Sequence, residues 1–164
     1  MNDRDTGDLE ARLRRLEDQM EILQLIAAYG PVADSGSGEV AERMWLADGW
    51  YDSGMGRFES AAAVRDMLNT YDVHLELMAG GCAHVTTVPL IDLRGDVASA
   101  YCHGQLLRRK DDGFEVWKTS AVRWELVRTD AGWRIKSREN RLLDGSSGPH
   151  ELFGAAVVAV AAEH

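Results

Sequence analysis

Apolar residues recur near the start of the chain at intervals of three and four: Leu9, Leu13, Leu16, Met20, Leu23 and Ala27. That spacing predicts an amphipathic helix, with Arg12, Arg15, Asp18 and Glu21 on a solvated side. Gly30-Pro31 bends or ends it, because proline lacks the N–H that a continuing helix needs. Residues 1–7 are polar and expected to be disordered. Ser35-Gly36-Ser37-Gly38 reads as a loop. A second helix is predicted over 39–46, with Val40, Met44 and Trp45 inward. Trp50-Tyr51-Asp52 and Gly56-Arg57-Phe58-Glu59 suggest a short hairpin. Ser60 is placed to cap a third helix through Leu68 that buries Val64, Met67 and Leu68. Residues 72–82 have no clear period, and Gly80-Gly81 is a flexible point.

The second half reads as strands. Ala83–Leu93 ends at Arg94-Gly95-Asp96, Val97–Lys110 at Asp111-Asp112-Gly113, and Phe114–Arg128 at Thr129-Asp130-Ala131-Gly132; Trp133–Leu142 closes the set. Each junction holds both a glycine and an aspartate, which is a hairpin signal. The pattern predicts a meander of four long antiparallel strands. With three helices ahead of it, the fold class is α+β: a cone-shaped barrel in which the helices pack against a curved, mostly antiparallel sheet. Phe153–Ala162 is a candidate terminal helix within a C-terminal extension, 145–164. No repeat or second domain is visible, so 1–164 reads as one domain.

Charge and composition narrow the partners. The net charge of −9 argues against nucleic acid and anionic membrane, which call for basic patches. The longest apolar run, Ala155 to Ala162, is too short to cross a bilayer. Met1-Asn2-Asp3-Arg4-Asp5 is too polar for a secretory signal. Cys82 and Cys102 make neither a disulfide framework nor a zinc pattern, which fits a reduced cytoplasm.

Two residues stand out as chemistry: Asp34, just past the first helix, and His84, at the start of the strands. A carboxylate and an imidazole sharing a pocket can move a proton at neutral pH. Asp34 alternatively caps the Ser35-Gly36 turn. Tyr29 lies five residues earlier, near enough in helical spacing to share its pocket. On the second strand Val97, Ser99, Tyr101, His103 and Gln105 share one face, and Ala98, Ala100, Cys102 and Leu106 the other; one packs on the core and one lines a cavity. His103 is therefore either a pocket residue or a structural one. Arg138 and Arg141 on the last strand either form a solvated edge or anchor an anionic or carbonyl-bearing ligand. Trp45, Trp50 and Trp117 either line an apolar pocket or belong to the core. There is no phosphate-binding glycine loop and no Gly-x-Ser-x-Gly elbow. His74, His84 and His103 lack the close spacing of a metal site. Acid–base chemistry without metal or cofactor is the simplest enzymatic reading.

These pieces, in order, resemble the SnoaL-like (scytalone dehydratase-like) branch of the nuclear-transport-factor-2-like superfamily. The carrying segments are Leu16-Glu17-Asp18, Ile22, Tyr29 and Asp34, then Gly56-Arg57-Phe58-Glu59-Ser60, His84, and Asp130-Ala131-Gly132-Trp133-Arg134-Ile135 with Arg138. The resemblance leans towards lyases such as bile acid 7-alpha-dehydratase and hexachlorocyclohexane dehydrochlorinase. It implies an Asp34–His84 dyad, with Tyr29, His103 and Arg138 as further catalytic groups. Trp45, Trp50, Tyr101, Trp117 and Arg141 are then expected around the substrate. It also implies no cofactor, a small hydrophobic substrate that is cyclic or steroid-like, and a homo-oligomer, dimer or trimer. Where the dehydrochlorinase has Asn four residues after its histidine, this chain has Val88. A polyketide cyclase or isomerase is the alternative on the same pocket. A non-catalytic binding or assembly module, such as the small subunit of a ring-hydroxylating dioxygenase, is the alternative on the same fold.

Overall fold

A computed structural model describes residues 3–161. Helix α1 spans Asp3–Asp34 and continues through Gly30-Pro31. Pro31 therefore does not end the helix: beyond it, Ser35 N–H still donates to the Pro31 carbonyl at 3.0 Å. The helix begins at Asp3, so residues 3–7, expected to be disordered, belong to its first turns.

The predicted face of α1 is also corrected. Leu9, Leu13, Leu16 and Met20 are each more than half exposed. The buried stripe is Asp18, Ile22, Ile26, Tyr29 and Ala33. It also has helical spacing, and the carboxylate at its head hid it. Asp18 is buried because it accepts a hydrogen bond from Trp133 Nε1 at 3.2 Å and pairs with Arg128, the condition on which a charge can leave water.

Helix α2 (Gly38–Met44) stops two residues early, and Trp45 opens strand β1 (Trp45–Asp52). Val40 on α2 is exposed, whereas Met44 and Trp45 are buried. The expected hairpin joins β1 to β2 (Arg57–Phe58), with Tyr51 opposite Phe58. Ser60 caps α3 (Ala61–Thr70) by accepting from Ala63 N–H at 3.1 Å, and Val64, Met67 and Leu68 are buried as predicted. A fourth helix, α4 (Asp72–Gly80), fills the region without a clear period.

The expected first long strand is two. β3 (Cys82–Thr86) and β4 (Leu90–Arg94) both pair with β5 (Val97–Lys110), at opposite ends of it. Thr87-Val88-Pro89 interrupts them; Pro89 has no N–H to give a ladder. The remaining strands are β6 (Gly113–Thr129) and β7 (Gly132–Leu142). Pairing runs β2-β1-β7-β6-β5-β3, with β4 also on β5. Every pair is antiparallel except β1 with β7. The fold is thus α+β, with N-terminal helices against a curved, mixed and mostly antiparallel sheet. Helix α5 (Ser147–Ala161) follows; Ala162, at the predicted end of that helix, lies outside the described residues.

Residues of α1, α2 and α3 share one core with the inward rows of the sheet, including Ala98, Ala100, Cys102, Val122, Trp124, Leu126 and Ile135. Of the two faces open on β5, the apolar one is therefore inside.

Candidate active site

Asp34 is the last residue of α1, and His84 is the third of β3. Gly30 lets them meet. A Cβ on it would sit 2.4 Å from the His84 carbonyl oxygen, so only glycine allows the helix this close to the strand. Asp34 then receives the His84 backbone N–H on both carboxylate oxygens, at 3.1 and 2.9 Å. Its Oδ1 also lies 2.6 Å from His84 Nδ1. An ionised carboxylate only accepts, so Nδ1 carries the proton and Nε2 is left as the basic nitrogen. Cys82 adds a long S–H contact to Oδ1 at 3.8 Å.

Burial works to raise the Asp34 carboxyl, but the two kinds of hydrogen bond from His84, together with its charge, outweigh it and hold the group below the ordinary value. The Cys82 thiol is pushed up by burial and by the charge of Asp34, which keeps it protonated and a poor nucleophile. His74 sits beside the dyad, 6.0 Å ring to ring from His84. It donates Nε2–H to the Ala33 carbonyl at 3.0 Å. Burial first, then the charge of His84, lowers its pKa.

His84 faces a cavity that Tyr29, Tyr51, Phe58, Leu68 and Leu106 help to line. Tyr29 is 1% exposed, its ring edge-on to His84 at 6.5 Å. Burial drives its pKa far up, so the hydroxyl stays a donor.

A second chamber adjoins the first through Tyr51, His84, Leu106 and Lys118, and Arg138 and Asn140 line it. Arg138 is 4% exposed. Its guanidinium lies over Tyr29, Tyr51 and Trp124 at 3.9, 4.8 and 4.5 Å from the ring centres.

Tyr29, Asp34, His84 and Arg138 are therefore brought together, and Trp117 stands at the mouth of the cavity. The other candidates are not in it. Tyr101 and His103 belong to the outward row of β5; His103 is exposed and its ring lies 4.7 Å from that of Phe153 on α5. Phe153 accordingly covers the outer face of the sheet. Trp45 is a core residue. Trp50 is covered by the Arg57 guanidinium at 4.0 Å. Arg141 is engaged by Asp52 and Glu139. Strand alternation sends Trp50, His103 and Arg141 away from the adjacent Tyr51, Gly104 and Asn140, which line the site.

Sequence reasoning missed Tyr51, Lys118, Asn140 and the neighbouring His74. Lys118 ends an inward row, Ser120, Val122, Trp124 and Leu126, and that alternation was a readable signal. Arg138 and Asn140 were masked by a bulge: β7 places Lys136 as an extra residue between Ile135 and Ser137 in its pairing with β6. The bulge turns Arg138 and Asn140 inward, off the face of Arg134 and Lys136.

Residues 14–139 match the SnoaL-like domain family. The chain belongs to that family, within the NTF2-like, cystatin-like fold. A solved NTF2-like protein from Novosphingobium aromaticivorans is 43% identical, with a TM-score of 0.85 over 89% of this chain and 95% of its own. A Catenulispora acidiphila protein, solved in complex with S-DNPA, is 24% identical, with a TM-score of 0.64 over 75% and 91%. An NTF2-like superfamily protein from Salmonella enterica is 14% identical, with a TM-score of 0.66 over 82% and 97%. No curated protein matches the sequence. Among the described residues, no helix is long and apolar enough to cross a membrane.

Proposed function

We propose that this chain is a cofactor-independent lyase of the dehydratase type, acting on a small hydrophobic, cyclic molecule. The observation that carries the reading is the 2.6 Å Asp34–His84 contact on the wall of a mainly apolar cavity. Nε2 of His84 takes a proton from carbon beside a carbonyl. The C–H electron pair becomes the new double bond, and the hydroxyl departs with the C–O pair, taking the proton back from the His84 imidazolium to leave as water. Asp34 fixes the tautomer and supports the imidazolium. Tyr29 donates to the developing oxyanion, and Arg138 steadies negative charge. A base so placed contributes on the order of 10²–10⁴ in rate.

Family membership supports a second reading on the same residues, because the family includes enzymes such as polyketide cyclases. There the carbanion formed at the same carbon would close a ring rather than expel a group, and the product distinguishes the two.

Cyclic hydroxy-ketones incubated in D₂O with the protein, followed by NMR, test the shared proton transfer. His84→Ala is expected to lose exchange and turnover by about 10²-fold or more with an unchanged circular dichroism spectrum. Undiminished exchange in that folded variant would sink the proposal.

A further inference from the structure

We infer that the molecule handled in this cavity carries a carboxylate, held at the inner end by Arg138 and Lys118. The inference rests on the cavity being the substrate site, as proposed above, and names the class of substrate that enters it.

Arg138 is almost fully buried, and its Nε and Nη1 have no hydrogen-bond partner. The three aromatic rings do not explain that. They attract the cation through the flat faces of the guanidinium, whereas its N–H donors lie in the plane, where rings offer no acceptor. A buried charged donor left without an acceptor is costly. Lys118 opens onto the same chamber, with Nζ donating to the Ser53 carbonyl at 2.8 Å. Burial, and then the charge of Arg138, lowers its pKa, against a weaker pull from Asp52.

Among the described residues, no carboxylate is paired with either cation. Asp52 is engaged by Arg141, Glu139 by Arg123 and Arg141, and Asp34 by His84. Two cations thus face one chamber without an anion. The buried Ser120 hydroxyl, also without a partner, lines it too.

A ligand carboxylate answers this arrangement. Its two oxygens accept several hydrogen bonds, so both cations can share it. Bound there, it also offsets the imidazolium that proton transfer creates on His84. Otherwise that third positive charge would arise facing two others. Neutralising the carboxylate makes the neighbouring C–H more acidic, which suits the base opposite. The apolar part of the ligand would fill the wider chamber beside Phe58 and Leu68.

Calorimetry with 3-phenylpropanoate and its neutral isostere, 3-phenylpropanamide, tests this on the full chain. The acid is expected to bind about tenfold or more tightly than the amide. Lys118→Met should reduce that preference to less than about threefold, while its melting temperature does not fall. His84→Ala should keep the preference. Equal binding of acid and amide, no binding of the acid, or a full preference in folded Lys118→Met would each overturn the inference. The acid–amide comparison needs no variant, so it decides even if Lys118→Met fails to fold. The two readings fail separately. Loss of the acid preference with His84-dependent exchange intact removes only the carboxylate. An acid preference with no exchange in any substrate leaves an anion-binding cavity and removes the dyad's catalysis.

Discussion

His74 and His84 are neighbours with opposite surroundings. His84 has a carboxylate on Nδ1; His74 has only the Ala33 carbonyl and is buried. This difference sets the response to acid. With its folded pKa lowered, His74 takes a proton more readily in the unfolded chain. Its contribution to stability is present above the ordinary histidine value of about 6.5 and is lost as pH falls from there towards the folded value. Asp34 behaves in the same sense at lower pH. Its folded pKa is also lowered, so its contribution holds above the ordinary aspartate value of about 3.9 and goes as pH falls through the folded value. Urea midpoints measured from about pH 7.5 down to pH 5 should fall in the native protein, and fall less in His74→Gln, which keeps a donor for Ala33. Equal slopes in the two would show that His74 does not carry the effect. At this scale the dyad was legible because a lone carboxylate and a lone imidazole sat at element boundaries. Lys118 was harder to single out: the alternation of Ser120, Val122, Trp124 and Leu126 places it on their row, but a lysine at the end of a strand row ordinarily points to water.

At the scale of elements, the site depends on how closely α1 approaches β3. Gly30 is the contact point, and the helix passes through Pro31 to deliver Asp34 one turn later. Gly30→Ala would improve helix propensity locally, yet its Cβ meets backbone rather than a side chain that can turn aside. The expected net result is a loss of about 1–3 kcal/mol, read by urea denaturation. The His84 Nδ1–H resonance should shift as the pair is pushed apart. A stabilised variant with that resonance unmoved would refute the argument. The element boundaries show where pattern reading fails. α1 has two apolar stripes at helical spacing, and its own sequence ranks the wrong one higher. The long strand expected from Ala83 divides at Pro89 because β3 and β4 use different stretches of β5. Bulges at Trp117 and Lys136 reverse which face later residues occupy, and a strict period of two cannot foresee them.

At the scale of the molecule, α1 is fastened to the far end of the sheet by Asp18. Its carboxylate takes the Trp133 indole N–H and the Arg128 guanidinium, and Arg128 continues to Asp96. Asp18→Ala would leave the buried indole N–H unsatisfied. The expected cost is about 1–3 kcal/mol, seen as a lower melting temperature with little change at the dyad, because the two sites lie at opposite ends of the helix stripe. An unchanged melting temperature would mean that burial of Ile22 and Ile26 alone secures α1. The sequence by itself determined the α+β order, the strand turns, the Ser60 cap and the pairing of Asp34 with His84, because each follows from local period, turn chemistry or a resemblance carried by residue order. Only the tertiary structure decided which stripe of α1 is buried and which face of β5 lines the cavity. It also decided that Arg138 and Lys118 confront one chamber without an anion. Those outcomes depend on bulges, on the close approach at Gly30 and on burial against distant elements, and none of these is a property of neighbouring residues.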